Sequence, residues 1–264
     1  MLAEVNGVRL FTRRVGSGPL VVVLHGGPGA HHDYLLPQYD RLAERSSRTL
    51  FYYDQRGGGQ SPVPRDTPLG WREHVADLDA LRAHLGLDRL TLCGYSWGGL
   101  LALLYLIEHP GCVERLALVS PAAPTREYRQ AFDAEFARRA ASPEIRALRG
   151  DLKPFELAVA PYFRNPQDAR RLTPFRVTAR TQQAVWDSLG DYDVLQRLRE
   201  MSALLALVPS LVLHGTFDPI PIAGARELAT LLKTSVVELA TGHCPHVEDT
   251  AGFLAALDAF LPGT

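Results

Sequence analysis

The sequence predicts an α/β protein: a mostly parallel twisted sheet with helices on both faces and one inserted helical cap. Three observations predict it. Short apolar runs recur at 20–24 (LVVVL), 49–53 (TLFYY), 90–93 (LTLC), 116–119 (LALV), 211–213 (LVL) and 236–239 (VVEL). Between them lie stretches whose apolar residues fall at steps of three and four, the spacing of an amphipathic helix. From 122 to 200 the alternation stops: no clear strand occurs, and Pro143, Pro154, Pro161, Pro166 and Pro174 punctuate helical pieces. Strands alternating with helices build a parallel sheet covered on both faces. A run of helices between two strands is then an insertion.

The elements follow in order. Asn6-Gly7 suits a type I′ turn, which needs positive φ at both central residues, with Val8, Leu10 and then Arg14 at alternate positions after it. Leu20 to Leu24 is continuously apolar between Pro19 and His25-Gly26, the pattern of a strand buried on both faces. Trp71, Val75, Leu78, Leu81 or Arg82, and Leu85 make one helical stripe, and Leu100 to Ile107 another that His109-Pro110 stops. The strand rhythm resumes at Pro209-Ser210-Leu211, and Ile222 to Leu232 has the pattern of a single crossover helix. The predicted organisation is a core of 1–121 and 201–264 with 122–200 as a helical cap. Such an insertion either closes over a site as a lid or simply packs on the sheet. No internal repeat or low-complexity segment occurs.

Composition limits the partners. The chain has 264 residues, 46% hydrophobic and 22% charged, ordinary values for a globular protein with room for a large core. Lys+Arg 28 against Asp+Glu 29 gives no electrostatic case for nucleic acid or an anionic membrane. The three cysteines, Cys93, Cys112 and Cys244, are odd in number and widely spaced, which fits reduced thiols in a cytosol. The first residues lack the apolar core of a signal peptide, and no apolar stretch is long enough to span a membrane. A cytoplasmic location is the expectation.

The stretch CGYSWGGLLAL (93–103) carries the chemistry. Gly94-Tyr95-Ser96-Trp97-Gly98 matches G-x-S-x-G between a predicted strand and a predicted helix, the context of a nucleophile elbow. The turn is sharp, so glycine is needed where a Cβ would strike a neighbouring element. Ser96 then sits exposed at a helix N-terminus, whose N–H groups favour developing negative charge. A serine hydroxyl needs a base, and the base needs a carboxylate to fix its tautomer. SLVLHGTFDPIP (210–221) places Asp218 just beyond one predicted strand, and SVVELATGHCPH (235–246) places His243 just beyond the next. Residues at the carboxyl ends of strands meet at one edge of such a sheet. The order Ser96, Asp218, His243 is that of the α/β-hydrolases. His246 is a rival base three residues on; His214 ends a strand but reads as a packed or turn histidine; Asp193 and Asp249 follow no strand. For the oxyanion, the backbone N–H of Trp97 and one from LHGGPG (24–29), with Gly27 foremost, are the candidate donors.

Taken together, His25-Gly26-Gly27-Pro28-Gly29, Asp54-Gln55-Arg56-Gly57 leading to Ser61, and Gly94-Tyr95-Ser96-Trp97-Gly98-Gly99 resemble the proline iminopeptidase group of the α/β-hydrolase family. The resemblance spans roughly 1–121 and 203–264. It implies the α/β-hydrolase fold and a Ser-His-Asp aminopeptidase that removes an N-terminal residue, often proline, from a small-molecule or short-peptide substrate. It implies Gly27 and Trp97 as oxyanion donors, a helical cap over the site, and no metal or organic cofactor. Asp54-Gln55-Arg56 reads as a buried charged turn beneath the site. Members that release proline hold the substrate ammonium with acidic residues from the cap, so at least one cap carboxylate is expected to face Ser96. Glu127, Glu135, Glu144, Glu156 and Asp187 are the candidates. Without such a carboxylate, the same triad would suit a carboxylesterase or lactonase. A catalytically inactive binding module is the third reading, and the intact set of three residues argues against it.

Overall fold

Asn6 and Gly7 both have positive φ, 46° and 72°, and close the first hairpin of the computed structural model, which describes residues 1–263. The strands are β1 (Leu2–Val5), β2 (Val8–Gly16), β3 (Leu20–Leu24), β4 (Thr49–Tyr53), β5 (Leu90–Tyr95), β6 (Val113–Val119), β7 (Ser210–Gly215) and β8 (Val236–Leu239). They form one 8-stranded sheet in the order β1-β2-β4-β3-β5-β6-β7-β8. The β2 strand is antiparallel to β1 and β4, and every pairing from β4 across to β8 is parallel. Along β2, Val8, Leu10 and Thr12 are buried; Arg14, on the same face, is exposed and lays its guanidinium over its cross-strand partner Phe51 at 5.5 Å.

The helices are α1 (Arg41–Arg45), α2 (Trp71–His84) and α3 (Trp97–Glu108) before the insertion. Within and just after it come α4 (Arg126–Ala140), α5 (Pro143–Ala147), α6 (Pro154–Val159), α7 (Ala179–Leu189), α8 (Val194–Glu200) and α9 (Ser202–Leu205). The chain ends with α10 (Ile222–Leu231), α11 (Pro245–Glu248) and α12 (Thr250–Phe260). Among the described residues no helix is long and apolar enough to cross a membrane.

Because side chains alternate along a strand, each continuous apolar run divides between two cores. Val22, Leu24, Leu92, Leu118 and Val212 face one cluster with α2, α3, α8 and α10; Val21, Val23, Cys93, Val119 and Leu213 face the other with α11 and α12. The site is positioned by strand order. From β3 the chain steps to β4 on one side, then returns to β5 on the other, so β3 and β5 lie side by side at a switch point. Loops leaving the carboxyl ends of strands diverge at such a point and open a crevice.

The insertion contains helices and no named strand among the described residues, with an irregular stretch at 173–178 that holds Pro174; most of its other prolines mark helix starts. Pro143 and Pro154 open α5 and α6, where the missing N–H costs nothing. Thr125, Ser142 and Asp193 cap α4, α5 and α8 with their side-chain oxygens. The excursion's two ends pair: Thr125 and Asp193 form an isolated antiparallel bridge, with Arg126 N donating to Tyr192 O (2.9 Å) and Val194 N to Pro124 O (3.0 Å). Beyond that closure α8 buries Val194, Leu195 and Leu198 in the same cluster as α3, each worth about 1.5–3 kcal/mol of apolar burial.

Candidate active site

Ser96 makes the whole turn from β5 to α3, with φ 53° and ψ −119°. A non-glycine residue there is strained by roughly 1–3 kcal/mol and stays only when its surroundings over-determine it. Here Ser96 N donates to Val119 O (3.0 Å), and Ser96 O accepts from Gly99 N and Ala122 N (both 2.9 Å). A Cβ on Gly98 would collide with the Leu24 carbonyl, and one on Gly94 would lie 2.7 Å from Gly99 Cα. The sequence pattern starts the helix at Leu100, but it starts at Trp97, because tight packing against β3 overrides the poor helix propensity of Gly98-Gly99.

His243 lies in the loop after β8, and its Nε2 is 2.9 Å from Ser96 Oγ. Its Nδ1 is 2.8 Å from Asp218 Oδ2, and Asp218 Oδ1 accepts from Ile220 N at 2.8 Å. Those partners assign the tautomer: Nδ1–H donates to the carboxylate, leaving Nε2 to accept from the serine hydroxyl. Burial opposes ionisation of Asp218, yet His243, His214 and the Ile220 amide outweigh it and hold the carboxyl below its ordinary value. The imidazole stacks on Tyr162 (centroids 5.0 Å apart) and tilts against Tyr95 (5.2 Å), while His243 N donates to Tyr162 O (2.7 Å). Such a chain can pass the Ser96 proton to His243 while Asp218 stabilises the resulting imidazolium.

The rival residues lie elsewhere. His246 is buried among Tyr39, Tyr95 and Phe253, and burial pushes its pKa down to about 3. His214 Nε2 faces Ile220 O (3.1 Å) and stands 3.8 Å behind Asp218 Oδ2. Asp193 and Asp249 cap α8 and α12.

Gly27 has φ 55° and lines the crevice beside Ser96 and Trp97. Gln55 links the Trp97 side chain to the strand end before Gly27: its Oε1 accepts from Trp97 Nε1 (2.7 Å) and its Nε2 donates to His25 O (2.9 Å). His25 Nε2 accepts from Gln55 N (3.0 Å), and burial drives the His25 pKa down to about 4, keeping the acceptor nitrogen free of a proton. Tyr34 Oη accepts from Gly26 N at 2.7 Å. Asp54 is buried against His32, and Arg56 forms a two-point pair with Asp77 (2.6 and 2.5 Å). The 54–56 turn is thus a buried support whose middle residue braces the Trp97 indole and the His25 carbonyl, two residues before Gly27.

Two cavities touch Ser96 and His243. The larger, about 530 Å³, is walled mainly by Tyr34, Phe136, Phe155, Phe175 and Val177. The smaller, about 80 Å³, lies against Trp97, Phe132, Trp186, Ile220 and Arg129. Among the described residues no aspartate or glutamate lines either one. The expected cap carboxylate is therefore not there. Glu135 is bound by Arg138 and Arg139, Glu156 accepts from Lys153 N, Asp187 accepts from Gln183, and Glu127 and Glu144 are exposed. Helix formation turned these acids into partners for their own surface neighbours.

Sequence reasoning missed Tyr162 and Glu248. Glu248 accepts from Gly242 N and from Arg164 N (both 2.9 Å), joining the His243 loop to the insertion; burial raises its pKa against the pull of those amides. Neither residue belongs to a local motif, so no short pattern points to it. Among the described residues no group of three or more His, Cys, Asp or Glu has metal-holding geometry.

A family profile for the alpha/beta hydrolase fold matches residues 19–250. The proline iminopeptidase of Lactobacillus helveticus is 29% identical over 284 residues, covering 97% of this chain and 95% of that protein. Among solved structures, the proline iminopeptidase-related protein of Thermus thermophilus superposes with a TM-score of 0.77 at 24% identity, covering 99% of this chain and 98% of its own. The enol-lactonase of Burkholderia xenovorans superposes with a TM-score of 0.71 at 23% identity, covering 98% and 99%.

Proposed function

This chain belongs to the alpha/beta hydrolase fold family and is a hydrolase, and from that premise we propose that Ser96, His243 and Asp218 are its catalytic triad and small carboxylic esters or lactones its substrates. The observation that carries the choice of substrate is the absence of any acidic side chain from both cavities at Ser96. An N-terminal ammonium brought there would lose water without gaining a counter-charge, at a cost of several kcal/mol. A neutral ester carries no such penalty.

In this reading His243 Nε2 takes the Ser96 proton as Oγ attacks the ester carbonyl. The N–H groups of Gly27 and Trp97 hold the oxyanion, a donor each worth about 10²–10³ in rate. The intermediate collapses to an acyl-enzyme on Ser96 as His243 gives its proton to the departing alkoxide. Water, deprotonated by the same nitrogen, then releases the acid and restores Ser96. No metal or organic cofactor takes part.

A second reading, an aminopeptidase of proline iminopeptidase type releasing an N-terminal residue, is favoured by the 29% identity to the Lactobacillus helveticus protein over nearly the whole chain. Rates on ethyl butyrate and on prolyl arylamide, free and N-acetylated, separate the two. The ester reading expects kcat/KM on the ester to exceed that on the free arylamide by more than about 10²-fold, with Ser96→Ala losing on the order of 10⁴–10⁶ in kcat. Rapid cleavage of the free arylamide with rejection of the acetylated one would establish the aminopeptidase instead. Activity that survives in Ser96→Ala would remove the triad from both.

A further inference from the structure

We propose that Arg129 makes the smaller cavity a carboxylate-binding subsite, so that the preferred substrates are esters or lactones whose acyl chain ends in a carboxylate. The proposal rests on the ester reading above and narrows it. Among the residues lining the two cavities at Ser96, Arg129 is the one lysine, arginine, aspartate or glutamate. Its guanidinium lies over the Trp186 ring at 3.9 Å, and Trp186 meets Trp97 edge-on with centroids 5.7 Å apart. The cation is thereby fixed in register with the nucleophile elbow through two rings packed edge to face.

Its hydrogen bonding is incomplete in an instructive way. Nε donates to Asp133 Oδ1 at 3.0 Å, one turn along α4, and Asp133 is an exposed residue outside the cavity wall. Among the described residues neither terminal nitrogen of Arg129 has a side-chain or backbone acceptor. A guanidinium presents its donors in a planar fork that matches a carboxylate with two parallel bonds. An unfilled fork beside Phe132, Trp186 and Ile220 has little protein competition for such a ligand.

Size and position set the rest of the substrate. A volume of about 80 Å³ is small, so the arm it takes is short, of the size of a two-carbon spacer and its carboxylate. Gly27 lines both cavities, but Trp97, the other candidate oxyanion donor, lines this one alone, and the acyl side is assigned to this cavity. The alcohol side is left to the large apolar cavity.

The test compares monoethyl succinate with its neutral isostere ethyl 4-methylpentanoate, followed by proton release. The expected preference for the anionic ester is roughly 10- to 100-fold in kcat/KM. In Arg129→Gln the ratio of the two values should fall to within about threefold of one; Arg129→Lys, which keeps the charge but not the fork, should fall between. A guanidinium that serves only to brace Trp186 would depress both esters alike and leave the ratio unchanged, which would overturn the proposal. So would equal rates on the two esters in the unaltered enzyme, an outcome that leaves the ester reading standing. Both esters inert beside a rapidly cleaved prolyl arylamide would instead mean that the ester reading itself is wrong.

Discussion

Replacing the Asp218 carboxylate with an amide would separate the contribution of its charge from that of its shape. The side chain is fully enclosed and fixed at both oxygens, by His243 Nδ1 and by Ile220 N. Asparagine fills the same space, but its NH₂ group facing Nδ1 favours the tautomer with the proton on Nε2. That nitrogen could then no longer accept from Ser96. Asp218→Asn should fold with unchanged circular dichroism and lose roughly 10⁴ in kcat; near-normal turnover would move the role to another acid. A carboxyl held below its ordinary value lends stability above that value and loses it as pH falls through the folded one, so the amide variant should also show a shallower acid limb.

The tie between α11 and the His243 loop is an element-scale counterpart. One carboxylate, Glu248, accepts two backbone amides, from Gly242 on the loop and Arg164 on the insertion. In Glu248→Gln only one side-chain oxygen remains to accept, and the new NH₂ faces the other amide donor. Losing a hydrogen bond to a charged group costs about 1.5–3 kcal/mol, or several degrees in melting temperature for a chain of this size. Because the loop that aims His243 loosens, kcat should fall more than KM rises; a melting point and kcat both unchanged would show the tie to be idle. Elements such as β3 and β5 were legible in the sequence because a strand buried on both faces must be apolar at every position, and a run such as LVVVL leaves few alternatives. The candidates Ser96, Asp218 and His243 stood out for a related reason, since each lies within four residues of the end of a mostly apolar run. The insertion was not. Which acid of α4 faces the pocket depends on how that helix is turned, and Glu135 spends its charge on Arg138 and Arg139 while Arg129 reaches inward. The tie from Glu248 to Arg164 and the contact of Tyr162 with His243 span 84 and 81 residues of sequence, which no local pattern encodes.

Across the whole molecule, three imidazoles are sealed away from protons. Burial drives His25 down to about 4, and His74 and His246 down to about 3. In the unfolded chain each takes a proton below about pH 6.5. The unfolded state therefore binds more protons between about pH 6.5 and 4, and folding stability falls as pH drops through that window. Each histidine contributes up to about 1.4 kcal/mol per pH unit there. Asp77 and Glu248, raised by burial, act in the opposite sense and offset part of the loss at its lower end. The urea midpoint should thus fall steeply from pH 7 to pH 5, and His246→Phe should flatten the slope by about a third. A midpoint indifferent to pH over that range would contradict the assignment of three neutral buried imidazoles. The bridge between Thr125 and Asp193 has a consequence of another kind. A detour that leaves and rejoins the chain at a single doorway is a cassette: doubling its length adds only about 0.6 kcal/mol of closure entropy, provided it keeps the few contacts that hold the His243 loop, from His243 N to Tyr162 O and from Arg164 N to Glu248. Descent can therefore vary the cassette's length and its cavity walls, Arg129 among them, so long as Tyr162 and Arg164 stay beside the loop that carries His243.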